Sequence, residues 1–280
     1  MSDVTQRADL STFRLRRRTP GSFVLVPCPK QGRSIRCQGQ LEAAAAVILV
    51  ACPRVTRIEE QPLTVWYAWQ GEEGAFEIQL LDGPPASPRR RQKNAGTSYI
   101  VPDFLVEMTS GAKRLVEVKP SDRLGHPTVQ RKLAVGQRFA AHRDWTFHVV
   151  TEKQLFQGSL LSNLRLLNRY RQARLDEGTL EQLSVQVPAH GIEFSALLPM
   201  PDGDGHARMH LFHLLATGRL SFDPRAGPLD DRTLIFPGGV ISWDPFDSLW
   251  ARSGCWKDES GGSSANSPPT ASSPRTSSST

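Results

Sequence analysis

VPDFLVEMTSGAKRLVEVKP, Val101 to Pro120, reads as two strands joined by the turn TSGAK, and it carries charge where a core strand should carry none. Side chains two apart on a strand share a face, so Glu117 and Lys119 point one way and Val116 and Val118 the other. A turn centred near Ser110 and Gly111 sets Asp103 opposite Glu117 or Val118, a register open by one residue. Directly opposed Cβ atoms lie roughly 4.5 to 5.5 Å apart, a span across which two carboxylates repel unless a cation bridges them. A divalent ion resolves the conflict, and hard oxygen donors of this type favour magnesium or manganese. The bland alternative is a cross-strand salt bridge on a solvated sheet face, which is common in hairpins.

Upstream of this stretch, LEAAAAVILVA, Leu41 to Ala51, joins strong helix formers to apolar side chains nearly all round and is stopped by Pro53, which predicts a buried helix. Glu42 lies in its first turn. A carboxylate there either meets a bound cation or faces water and is favoured by the helix dipole. PLTVWYAW (Pro62 to Trp69) and AFEIQLL (Ala75 to Leu81), joined by QGEEG, predict a hairpin, with Trp66, Tyr67 and Trp69 in the sheet core. A basic, proline-rich loop then runs from Leu81 to Ser98. YIVPDFLVEM is expected as a strand, followed by RLVEVK. Downstream come a helix from Pro127 to His142 and a buried strand from Phe147 to Thr151. The order predicts a mixed α/β sheet flanked by helices.

After Thr151 the pattern turns helical: EKQLFQGSLLSNLRLLNRYRQARL, EGTLEQLSVQV, and HARMHLFHLLATG closed by Gly218. LSFD and RTLIFPGGVIS predict a small β-wing beside these helices. His206, His210 and His213 have a spacing that can bind metal, but no carboxylate or cysteine sits nearby and the helix reads as an amphipathic core element. The predicted plan is a loop-rich segment 1–39, a mixed-sheet domain 40–158, a helical winged-helix-like domain 159–252, and a Ser-, Gly- and Pro-rich disordered tail 253–280.

The 280-residue chain carries a net charge of +6 and a pI near 9.4, with basic clumps at Arg14 to Arg18, Pro88 to Lys93 and Arg165 to Arg174. Such clumps suit a polyanion. Arg89, Arg90, Arg91 and Lys93, with Lys132 on the following helix, are candidates for holding DNA phosphates. No apolar run approaches the roughly 20 residues of a membrane span and no signal-peptide stretch opens the chain, so a soluble cytoplasmic protein without a membrane partner is expected. Four scattered cysteines, with no C-x-x-C pair, indicate neither a disulfide framework nor a zinc ribbon.

Asp103, Glu117 and Lys119 together spell the P-D…E-x-K pattern of restriction-endonuclease-like nucleases, and the wording IVPDFLVEMTSGAKRLVEVKP resembles the TnsA family of transposon endonucleases. QLEA at Gln40 to Ala43, EEQP at Glu59 to Pro62 and NLRLLNRY at Asn163 to Tyr170 match in the same order, so the resemblance spans about residues 35 to 175. One departure is Gln40, which stands where a serine often precedes the helix acid. The resemblance implies Glu42, Asp103 and Glu117 as ligands of Mg2+ (or Mn2+), with Lys119 as the catalytic lysine. It further implies cleavage at the 5′ ends of a transposon in double-stranded DNA. A separate transposase would cut the 3′ ends, and an AAA+ ATPase regulator would meet the C-terminal domain. Such an enzyme would be nucleoid-associated when active. A stand-alone restriction or repair nuclease of the same fold, or an inactive DNA-binding assembly module, are the rival readings.

Overall fold

The computed structural model describes residues 23–72, 75–86, 94–198, 205–248 and 250. Strands β1 (Val24–Cys28) and β2 (Arg33–Cys37) form an antiparallel hairpin and lead into helix α1 (Gln40–Ala51). Residues Ala43 to Val50 of α1 are buried without interruption, as the apolar run LEAAAAVILVA requires. After Pro53, strand β3 (Val55–Glu60) opens the main sheet, and β4 (Val65–Glu72) pairs with β5 (Ala75–Leu81) in the expected hairpin.

YIVPDFLVEM is not one strand. It divides into β6 (Ala95–Ile100), which joins the sheet β5-β4-β6, and β7 (Phe104–Met108), which joins the sheet β3-β7-β8-β9. The break falls at Val101 to Asp103, where Pro102 has no N–H to continue a ladder. Strand β8 (Lys113–Val118) pairs antiparallel with β7, and helix α2 (Pro127–His142) then carries the chain over to β9 (Thr146–Val150), parallel to β8. A parallel neighbour needs such a crossover.

The two faces of this layer are covered by different helices. Phe104, Val106, Val116, Val118 and Val150 share a core with α1, while α2 packs on β9 and on the three-stranded sheet. The approach of α2 is so close that a Cβ on Gly136 would lie 2.6 Å from the Phe147 ring. Arg131 of α2 stacks on Trp69 at 3.7 Å from the ring centre, and Tyr67 is fully buried beneath the same helix.

The helical run expected after Thr151 is interrupted. Helix α3 (Glu152–Leu155) ends at Phe156, and Gly158, with a φ of +62°, lies in the turn before α4 (Leu160–Asn168). Next come α5 (Glu177–Val185), β10 (Ile192–Glu193), α6 (His206–Thr217), β11 (Leu220–Ser221), β12 (Leu234–Pro237) and α7 (Pro245–Ser248). β11 and β12 fall in the two segments expected to form a small wing, and β10, outside that expectation, completes a three-stranded sheet in the order β10-β12-β11. Leu180, Phe194, Leu211, Leu214 and Ile235 make a second core.

Packing crosses residue 159 twice. Leu160, Leu161 and Leu164 of α4 lie in the first core and Leu167 in the second. Trp243, Phe246 and Trp250 then return to the first core, where the Trp243 carbonyl accepts from Cys52 Sγ and the Trp250 carbonyl lies 2.7 Å from His148 Nδ1. Among the described residues no helix is long and apolar enough to cross a membrane. The tail 253–280 lies outside the described residues.

Candidate active site

The β7–β8 ladder pairs Phe104 with Val116, so one further step sets Asp103 beside Glu117. The open register is thereby closed. Asp103 also reaches across the pair, its Oδ2 accepting the main-chain N–H of Val118 at 2.7 Å. Lys119 is anchored differently: its main-chain N–H donates to the Val150 carbonyl at 2.9 Å and extends the ladder towards β9. Its side chain turns back, with Nζ 2.7 Å from Glu117 Oε1 and 3.7 Å from Asp103 Oδ2.

A salt bridge does exist here, then, but not on a solvated face. The Asp103 and Glu117 side chains are each only 12% exposed and Lys119 27%. Burial pushes both carboxyls above their ordinary range, and the Asp103 charge pushes Glu117 further. Burial alone would pull the Lys119 ammonium down. The Glu117 and Asp103 charges outweigh it and hold the ammonium above its usual range.

Glu42 enters from the first turn of α1. Its Oε2 accepts the N–H of Gln38 at 2.7 Å, fastening the helix start to the end of β2. Burial and then the charge of Asp103 push its carboxyl up to about 7. Cys37 is enclosed beside this group, and burial, followed by the charges of Glu42, Glu60 and Asp103, pushes its thiol up to about 12. It stays a neutral wall. The neighbouring acids are otherwise engaged: Arg33 bonds Glu60 at 2.7 Å and Arg57 bonds Glu59 at 2.7 Å.

The cluster therefore joins three electrostatically coupled carboxylates to one ammonium. By donor type and by charge, Glu42, Asp103 and Glu117 fit a hard divalent cation. Among the described residues no three His, Cys, Asp or Glu side chains are gathered into a ready ligand set; the Lys119 ammonium is the cation between Asp103 and Glu117.

Lys132 lies exposed on α2, while Arg89, Arg90, Arg91 and Lys93 lie outside the described residues. His210 and His213 direct Nδ1 at the carbonyls of His206 and Tyr170, in keeping with structural roles. Several groups that shape the site were not singled out from sequence. They are the main-chain N–H groups of Gln38, Val118 and Gln61, the last donating to the Asp103 carbonyl at 2.9 Å, and Glu152. Glu152 accepts from the Ser121 N–H at 2.8 Å and from its hydroxyl, fixing the turn that follows Lys119 and Pro120. Main-chain donors leave no mark on residue type. Glu152 follows the last sheet strand, and only the fold brings it to Ser121.

Two acids and a lysine held by a mixed sheet, with a crossover helix behind them, are consistent with a nuclease of the restriction-endonuclease-like class. Residues 52–152 match the family model described as TnsA-like endonuclease N terminal. The resemblance drawn from the sequence holds over that stretch, which contains Asp103, Glu117 and Lys119 and begins just after α1. The domain marks a transposon-related nuclease. No curated protein matches the chain.

Proposed function

We propose that this protein is a Mg2+- or Mn2+-dependent DNA endonuclease that cuts the 5′ ends of a transposon, alongside a separate transposase and an AAA+ ATPase regulator. The observation that carries the reading is the buried triad: a lysine 2.7 Å from one carboxylate and 3.7 Å from another, inside a stretch matching a TnsA-like endonuclease. Charges kept so far from water are costly, and a structural pair could be replaced by apolar residues at no loss of stability. A catalytic role would account for charges in such a place.

Bound by Asp103 and Glu117 with Glu42 alongside, the divalent ion would supply an acidified water and relieve charge at the phosphate. The chain's own groups do the rest. Val118 N–H fixes the Asp103 carboxylate, so its free oxygen has one direction. Lys119, held as an ammonium by its two acids, stabilises the negative charge that builds on the phosphoryl oxygens rather than taking a proton. Lys132 and the basic loop Arg89 to Lys93 hold flanking phosphates. Cutting is assigned to the part built on 40–158 and assembly to the winged-helix-like part within 159–252, which would meet the ATPase although Leu160, Leu161, Leu164 and residues 243–250 pack in the first core. The protein works in the cytoplasm, on the nucleoid.

The test is nicking of transposon-end DNA with Mg2+, with and without transposase and ATPase, by wild type, Asp103→Ala and Lys119→Ala. Cleavage by the wild type alone among the three, and only with its partners, is the expected result. Equal activity of all three would refute the assignment. Cleavage of naked DNA without partners would favour a stand-alone restriction or repair enzyme, and DNA binding without cleavage an inactive assembly module.

A further inference from the structure

Both strands that bring the chain to Asp103 change sheets at the same level. β3 passes into β4 through residues 61–64, and β6 into β7 through residues 101–103. Pairing brackets the crossing on either side, Glu60 with Phe104 and Val65 with Ile100. Four residues on one strand therefore face three on the other. One extra residue on one side of such a crossing acts as a β-bulge does within a sheet: it bends the chain and re-aims a side chain.

The crossing begins at Gln61, directly across from Asp103. Its φ is +47°, in the left-handed region; among the described residues only Asp144 is the other non-glycine there. At this same residue the N–H donates to the Asp103 carbonyl at 2.9 Å. Asp103 is thus gripped at both ends, its carbonyl by Gln61 and its carboxylate by Val118. A left-handed glutamine persists only where its surroundings over-determine it, and such positions gather at active sites. The buried Pro62 follows immediately, and the Arg33–Glu60 bond pins the preceding residue.

We propose that Gln61 is a positioning residue whose left-handed main chain, rather than its side chain, sets the tilt of the Asp103 carboxylate. It thereby governs both divalent-ion affinity and the rate of strand cleavage. The inference rests on the nuclease reading above and adds a residue to it.

Glycine and asparagine accept this backbone readily, alanine poorly and valine hardly at all. Gln61→Gly and Gln61→Asn should leave Mn2+ affinity, measured by calorimetry on the full chain without DNA, and kcat on transposon-end DNA essentially unchanged. Gln61→Val should weaken Mn2+ binding and lower kcat by on the order of 100-fold at unchanged KM, since a shift of about 1 Å at a catalytic group has that effect. Should the valine variant fail to fold, Gln61→Ala carries the same comparison with a smaller loss. Unchanged Mn2+ affinity and kcat in the folded valine or alanine variant would overturn the proposal. So would equal losses in the glycine and asparagine variants, which would transfer the role to the side chain. Asp103→Ala, run in parallel, separates the two levels. If it is fully active, the nuclease site is misplaced; if it is dead while Gln61→Val is normal, only the role of Gln61 falls.

Discussion

Charge is handled in opposite ways in the two cores. Around the second, Arg219 bonds Glu177 and Glu181, whose side chains are 75% and 67% exposed, and Arg208 bonds Asp231 at the surface. Each cation there has an acid in water. In the first, two carboxylates, each 12% exposed, share a single ammonium, and a third, Glu42, is coupled to them by charge alone. Exposed pairs contribute little and cost little, whereas buried acids in excess strain the fold and persist for chemistry.

The largest effect should come from the triad. Lys119→Ala is expected to lower kcat in the nicking assay by about 10²–10³-fold, the usual loss when one preorganised donor is removed from developing charge. Asp103→Ala should lose at least as much, and a chelator should silence the wild type.

Glu42→Gln sharpens the contrast by separating stability from activity. Glu42 titrates near 7 in the folded protein, against an ordinary 4.5. The folded state thus holds its proton more tightly than the unfolded chain, and stability falls as pH rises from about 4.5 to 7. Above pH 7 the whole penalty is present; below 4.5 there is none. Removing the charge should therefore raise the stability of the metal-free protein by on the order of 1–3 kcal/mol at pH 8, with no gain at pH 4, as thermal melts at the two values would show. Cleavage should fall in the same variant. A stability gain at pH 4 as large as at pH 8 would break the electrostatic account.

Gly136→Ala tests packing rather than charge. A Cβ placed 2.6 Å from the Phe147 ring should destabilise by about 1–3 kcal/mol in urea unfolding, with loss of α2 from its seat on β9. The smallest effect belongs to the second core's surface: Arg219→Ala should change stability by less than about 1 kcal/mol and leave nicking unaltered.

Much of the first core could be read in advance because its signals are local. The apolar run of α1, the bounds of α2 at Pro127 and His142, and the hairpin about Ser110 and Gly111 all follow from periodicity and turn chemistry. Alternation in V-E-V-K correctly separated Val116 and Val118 from Glu117 and Lys119. What escaped was decided at a distance. Whether β6 and β7 join one sheet or two depends on partners 25 to 53 residues upstream, and a strand's alternation is the same in either case. The interruption between α3 and α4 is masked in the sequence because leucines recur densely on both sides of it. Gln61 was noticed as part of a resemblance only, since a left-handed main chain at glutamine has no compositional signature. The basic residues of the Arg89 to Lys93 loop lie outside the described residues.

The return of Trp243, Phe246 and Trp250 to the first core bears on how the molecule is made. Chains emerge from the ribosome in order, and N-terminal units ordinarily fold first. Here the hydrophobic plug for the earlier half is encoded after the later half. The earlier half thus stays unsealed until nearly all of the described chain has been translated.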